Sequence, residues 1–169
     1  MFMLHKKGDP SDLQNYRGIA LVNCITKIFT SIINDRLRYW AESNGLLPEE
    51  QAGFRENRSC DDNIFILQTT LQMLIRHKGA SALILFIDFK RAFDSVPHEK
   101  LWCKLASIGL CPKLVNILIK LYASIKMYIK SNNDLSDPIE ITEGVLQGEV
   151  LSPLLFILYI SDMVDYFEN

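Results

Sequence analysis

No apolar run in this chain is long enough to cross a bilayer. The longest, Ala82–Ile87 and Leu154–Ile160, end at Asp88 and Ser161, well short of the ~20 residues a spanning helix needs. The opening MFMLHKKGD is charged by its sixth residue and has no apolar centre, so it does not read as a secretory signal. The four cysteines, at 24, 60, 103 and 111, include no CxxC pair. That spacing weighs against a zinc site and a disulfide framework, and leaves free thiols in a reducing compartment. Internal repeats and low-complexity stretches are missing too. Finally, residues 131–169 contain no lysine or arginine, only 8 acids.

What is present fits one domain with a core. The chain has 169 residues, of which 49% are hydrophobic and 22% charged, an ordinary soluble composition. The net charge of -2 argues weakly against a nucleic-acid binder, but its distribution matters more. Residues 1–130 carry all 18 basic residues against 12 acids. A polyphosphate partner would meet that part. The acidic end suits a metal-centred or a solvated region.

Periodicity supplies the elements. Residues 1–22 read as short strands and loop. Asn23–Ser43 has apolar residues at helical spacing (Ile25, Ile28, Phe29, Ile32, Ile33, Leu37, Trp40) and ends near Asn44-Gly45. Asp61–His77 repeats the pattern before Gly79. Ala82–Phe89, interrupted only by Asp88, is expected to be a strand buried on both faces. Helices are expected at about 97–108 and 112–124, with Pro97 and Pro112 in first turns. Met127–Lys130 and Ile139–Thr142 flank the polar stretch Ser131–Pro138 as a hairpin. Leu151–Phe167 is expected to be a final helix. Helices between separated strands imply an α+β domain.

One residue in this pattern asks for a reason. Asp88 follows five apolar residues in LILFIDF. A carboxylate at the end of a buried strand is costly unless paired or metal-bound. It can serve a hard cation such as Mg2+, or it can cap the next turn.

Four blocks extend the clue. They are HKKGDPSDLQNYRGIAL (5–21), EEQAGFRENRSCDDNI (49–64), FIDFKRAFDSVPHEKLW (86–102) and GVLQGEVLSPLLFILYISDM (144–163). Taken in order, they resemble the reverse transcriptases of non-LTR retrotransposons, LINE-like and jockey-type, and more distantly those of group II introns. The resemblance covers nearly all 169 residues. It implies a right-hand polymerase fold, with fingers over 1–80 and an incomplete palm over 81–169. It implies RNA-directed DNA polymerase activity by two-metal phosphoryl transfer, acting on an RNA template, a DNA primer and a dNTP. No membrane role is implied, and no protein partner can be inferred. The setting would be nuclear or cytoplasmic.

The resemblance also implies roles, residue by residue. Asp88 matches the first catalytic aspartate, which binds two Mg2+ ions, or Mn2+ in their place, and Phe89 adds its backbone carbonyl. Phe93 matches the steric gate under the sugar, and Asp94 a carboxylate that holds the following turn. Gln147 and Gly148 match the QG motif of the nucleotide pocket, where glycine lets the backbone come close. Arg17 and one of Lys6 or Lys7 match the residues that hold the triphosphate; His5 stands where the family often has proline, which leaves the choice open. Gly53, Phe54, Arg55 and Arg58 match a block along the template. The second aspartate pair of the family has no counterpart in these residues: Asp134, Asp137, Asp162 and Asp165 are not adjacent, and Asp61-Asp62 opens a helix. The expectation is a chain that is inactive alone. The competing expectation is a catalytically dead retroelement remnant with at most residual nucleic-acid binding.

Overall fold

The computed structural model describes residues 1–77, 79–131 and 134–168. Lys78, Asn132, Asn133 and Asn169 lie outside them. Two strands open the chain: β1, Phe2–His5, pairs antiparallel with β2, Tyr16–Ile19. Helix α1 runs from Cys24 to Ser43. Its start is fixed by Asn23, whose side chain accepts the Ile25 N–H at 2.9 Å. Helix α2, Cys60–Leu74, starts on a reciprocal Ser59–Asp62 capping box. Next come α3, His98–Ser107, and α4, Pro112–Ala123. Pro112 opens α4 as expected, whereas Pro97 is the cap before α3.

The expected hairpin is present as two nested pairs. Strand β3, Lys126–Met127, pairs with β6, Ile139–Glu140, and β4, Lys130–Ser131, pairs with β5, Asp134–Leu135. The final helix is two pieces, α5 (Ser152–Tyr159) and α6 (Met163–Glu168). The Ser161 hydroxyl turns back to the Leu158 carbonyl at 3.0 Å, and such back-bonding competes with the helical ladder.

The core forms where α1, α3, α4 and α5 meet. Leu37, Leu101, Leu105, Leu118, Leu154 and Leu158 are fully buried, each contributing about 1.5–3 kcal/mol. Helix α1 buries Thr30, Ile33, Asn34, Leu37 and Ala41. Ile25, Ile28, Phe29 and Ile32, expected on its inward face, are exposed.

The central strand expected over 82–89 is not formed. These residues have no regular structure, and Leu83, Leu85 and Phe86 are largely exposed. A strand exists only where a neighbour takes its N–H and C=O groups. Among the described residues none pairs with this segment. Helix α2 has no buried residue. The domain is a mixture of helix and small two-stranded sheets.

The end of α5 is tied to α3 by Lys104 Nζ and Asp162 at 2.8 Å. The hydrogen bond from Lys104 holds the Asp162 carboxyl below its ordinary 3.8. The contribution of this depressed group is present above the unfolded value and lost as pH falls through the lower folded one. Asp162 is largely exposed, so solvent screens the pair. Lys104→Met is expected to shift the acid-unfolding midpoint upward by a few tenths of a pH unit or less, read by circular dichroism between roughly pH 2 and 5. An unchanged midpoint would show the pair to be worth nothing.

Candidate active-site cleft

Three of the four sequence blocks meet at two clamps. In the first, the segment after Asp88 folds into a tight turn in which Asp94 N–H and Ser95 N–H both reach the Arg91 carbonyl, at 2.9 and 3.1 Å. Arg91 has φ 54, a left-handed conformation uncommon for a residue with a Cβ. Past the turn the chain runs beside residues 143–145. The Gly144 N–H donates to the Val96 carbonyl at 2.8 Å, and the Val145 N–H to the Phe93 carbonyl at 2.7 Å. The His98 Nε2–H donates to the Gly144 carbonyl at 2.8 Å, which fixes the tautomer of that ring.

The second clamp joins this unit to the β1–β2 hairpin. Ala20 N–H donates to the Gln147 carbonyl at 2.7 Å. Gly148 has φ 96, and a Cβ on it would lie 3.1 Å from the Ala20 carbonyl, so glycine answers both demands. The Gln147 side chain, 53 positions from Asp94, donates through Nε2 to Asp94 Oδ1 at 3.0 Å. Between hairpin and turn lies a cleft of about 310 Å³, with Tyr16, Gly18, Arg91, Asp94, Glu143 and Gln147 among its walls.

The hairpin orients its cations through its register. Leu4 stands opposite Arg17 and His5 opposite Tyr16. The Lys6 N–H to Asn15 carbonyl bond, 2.8 Å, carries the ladder one step further. Side chains two apart share a face, so Lys6 falls on the face of Arg17, while Lys7 lies in the bend that follows. All three are exposed. The connecting loop is braced by Asp9, whose carboxylate accepts the Ser11 N–H at 2.9 Å; that bond holds its carboxyl below the ordinary range.

The 48–58 loop is held internally. Arg55 is 7% exposed; it grips Glu42 with two bonds, at 3.0 and 2.7 Å, and donates to the Pro48 carbonyl at 2.8 Å. Expected along a template, its guanidinium is turned inward as a brace. Arg58 pairs with the exposed Glu49. Arg38 holds the Phe54 carbonyl at 3.0 Å, and Phe54 has φ 62. The Phe54 ring meets the edge of Phe93, with centroids 5.8 Å apart, and Phe93 stacks on Phe156 at 5.1 Å. Phe93 therefore links the 49–64 block to α5.

Not every expected residue reaches the cleft. Gln147 lines it; Asp88, Phe93 and Arg17 are not among its walls. Asp88 and Phe89 sit in the exposed irregular segment. Among the described residues no three His, Cys, Asp or Glu side chains gather into a metal site. Arg91 and Gly144 were not singled out from the sequence. The KR pair after Asp88 was a visible signal for the first, but the role of Gly144 depends on a partner some fifty residues away.

A family model described as reverse transcriptase (RNA-dependent DNA polymerase) matches residues 4–169. The chain is similar to "Probable RNA-directed DNA polymerase from transposon X-element" of Drosophila melanogaster, 32% identical over 164 residues, or 95% of this chain and 18% of that protein. It is similar to "RNA-directed DNA polymerase from mobile element jockey" of the same species, 28% identical over 166 residues, 96% of this chain and 18% of that protein. It is also 32% identical over 158 residues to the "Transposon TX1 uncharacterized 149 kDa protein" of Xenopus laevis, 94% of this chain and 12% of that protein. The chain thus spans about a fifth or less of these relatives' lengths.

Proposed function

The chain belongs to the reverse transcriptase family, and on that premise we propose that it forms the fingers (1–80) and part of the palm (81–169) of an RNA-directed DNA polymerase. The whole enzyme would extend a DNA primer on an RNA template. The primer 3′-hydroxyl attacks the α-phosphate of a dNTP and pyrophosphate leaves. That work implies an intracellular setting, nuclear or cytoplasmic. The observation that carries the reading is the Gln147–Asp94 bond in a cleft bordered by the β1–β2 hairpin, whose cations lie outside the cleft walls.

Each residue then has a task. Arg17 and Lys6, sharing one face, hold the triphosphate; guanidinium suits paired contact with phosphate oxygens. Lys7 lies in the bend beyond the strand and is the weaker candidate. Gln147 lies under the nucleotide with its amide fixed by Asp94, and Gly148 gives the backbone its close approach. Phe93 lies beneath the sugar and selects deoxynucleotides. Gly53, Phe54 and Arg58 follow the template, with Arg55 as their brace.

The family implies the use of divalent metal in general. In this proposal Asp88 and the Phe89 carbonyl are the ligands this chain contributes to Mg2+, or to Mn2+. By themselves they do not fit a two-ion site, because no cluster of ligands surrounds them among the described residues.

Phosphate contact is testable on the chain itself. Binding to a labelled RNA–DNA primer–template is expected to be weak and to fall steeply with salt. Arg58→Gln is expected to lower the slope of log K against log salt by about one. Glu49, its exposed partner, is easily exchanged for a phosphate. Salt-independent binding, or an unchanged slope in Arg58→Gln, would remove the template role.

A further inference from the structure

Phe93, the residue read as selecting deoxynucleotides, has its backbone fixed: its carbonyl accepts the Val145 N–H at 2.7 Å. What remains to be placed is the ring. One face is stacked on Phe156 of α5, with centroids 5.1 Å apart and planes 19° apart. Both rings pack against the buried core, and close-packed interiors give little. The second neighbour comes from a distant part of the chain. Phe54, in the 48–58 loop, meets Phe93 at 5.8 Å with the planes at 84°. That is the edge-to-face arrangement that aromatic quadrupoles favour.

Phe54 itself is poorly explained by burial. Its ring is 52% exposed, so much of the gain from removing it from water is forgone. Its backbone is left-handed, with φ 62, a conformation that is strained for a bulky residue. Such strain persists only where the surroundings over-determine it, and here they do. Arg38 Nη1 donates to the Phe54 carbonyl at 3.0 Å. Just before it, Gln51 Nε2 donates to the Gly53 carbonyl at 3.0 Å. Just after it, Arg55 grips Glu42 and the Pro48 carbonyl. The loop is thus held in a strained form that sets one half-exposed ring against Phe93.

We propose that Phe54 is a positioning residue for sugar selection. Its edge fixes the tilt of the Phe93 ring on Phe156, so that the ring stands where a 2′-hydroxyl would strike it. The inference rests on the reading of Phe93 as the residue beneath the sugar. A ring free to tilt leaves room for the hydroxyl, and discrimination falls while both nucleotides are still accepted.

The test uses a chimaera with residues 4–169 in place of the matching segment of a transposon relative. It reads the ratio of kcat/KM for a dNTP to that for the matching NTP on a primed RNA template. Loss of folding or of template grip lowers both values together and leaves the ratio unmoved. Phe54→Leu is expected to lower the ratio about fivefold, the scale of one edge-to-face contact. Phe54→Tyr keeps the ring edge and is expected to retain the ratio. Phe93→Ala tests the premise and is expected to lower the ratio about 100-fold, the scale on which an apolar site rejects an added hydroxyl. A ratio that falls in Phe93→Ala but not in Phe54→Leu overturns the inference alone. A ratio unmoved in Phe93→Ala overturns the reading and the inference with it. Should the chimaera be inactive, carbon NMR relaxation of the 169-residue chain decides. The order parameter of the Phe93 ring is expected to fall in Phe54→Leu and to hold in Phe54→Tyr; an unchanged value in Phe54→Leu overturns the inference.

Discussion

Purified as these 169 residues, the chain is expected to incorporate no deoxynucleotide on a primed RNA template in Mg2+ buffer. Phosphoryl transfer of this kind needs both ions clamped from more than one side. Asp88 lies in an exposed, irregular segment with no ligand cluster around it among the described residues. The proposed positioning of a nucleotide by Gln147, Arg17 and Lys6 does not need Asp88, but positioning alone does not neutralise the developing charge. A chimaera carrying residues 4–169 in place of the matching segment of one of the transposon relatives is expected to extend the primer. Asp88→Ala in that chimaera should lower extension by at least ~10³-fold, comparable with losing a principal electrostatic group in other enzymes, and leave the circular dichroism unchanged. Extension by the bare chain, or an active Asp88→Ala chimaera, would show that the catalytic centre has been misplaced.

The second large effect concerns the clamp beneath the cleft. Gly144 has φ +90, and a Cβ there would lie 2.9 Å from the Asp94 carbonyl oxygen and 3.0 Å from its Cα. Both are backbone atoms, so no side-chain rotation can relieve the clash. Gly144→Ala is expected to cost about 2–5 kcal/mol, backbone strain and overpacking together. For a chain of this size that is a fall of roughly 10 °C in Tm. Gly109→Ala is the control: φ is +89, and nothing lies within 4 Å of its Cβ. It carries the strain without the contact, about 1–3 kcal/mol. Because the clash pushes on Asp94, Gly144→Ala should also loosen the Gln147 amide, visible as side-chain NH2 signals that exchange faster with water. A Gly144→Ala chain no less stable than Gly109→Ala would mean that the 93–97 and 143–145 segments are not clamped as described.

The helices were legible in the sequence because their determinants are local. Asn23 and Pro112 mark helix starts by their own chemistry, and apolar spacing alone distinguishes a helix from a strand. The family blocks were legible for a similar reason: each is a short run whose residue types and order need no coordinates. Neither kind of signal says which face finds a partner. Ile25, Ile28, Phe29 and Ile32 repeat at helical spacing yet remain exposed, while Thr30 and Asn34 are buried. The run 82–89 has the composition of a buried strand and is exposed, because a strand is a property of a pair, and composition describes one member only. The register that sets Lys6 on the face of Arg17, the inward turn of Arg55 and the bond from Gln147 to Asp94 lay equally out of reach. Each depends on a register or on a contact between residues far apart in the chain. The sequence by itself determined the family, the helices and the residue types available to the cleft. The tertiary structure decided which of them meet, since burial and hydrogen-bond satisfaction are settled only when separate segments pack together.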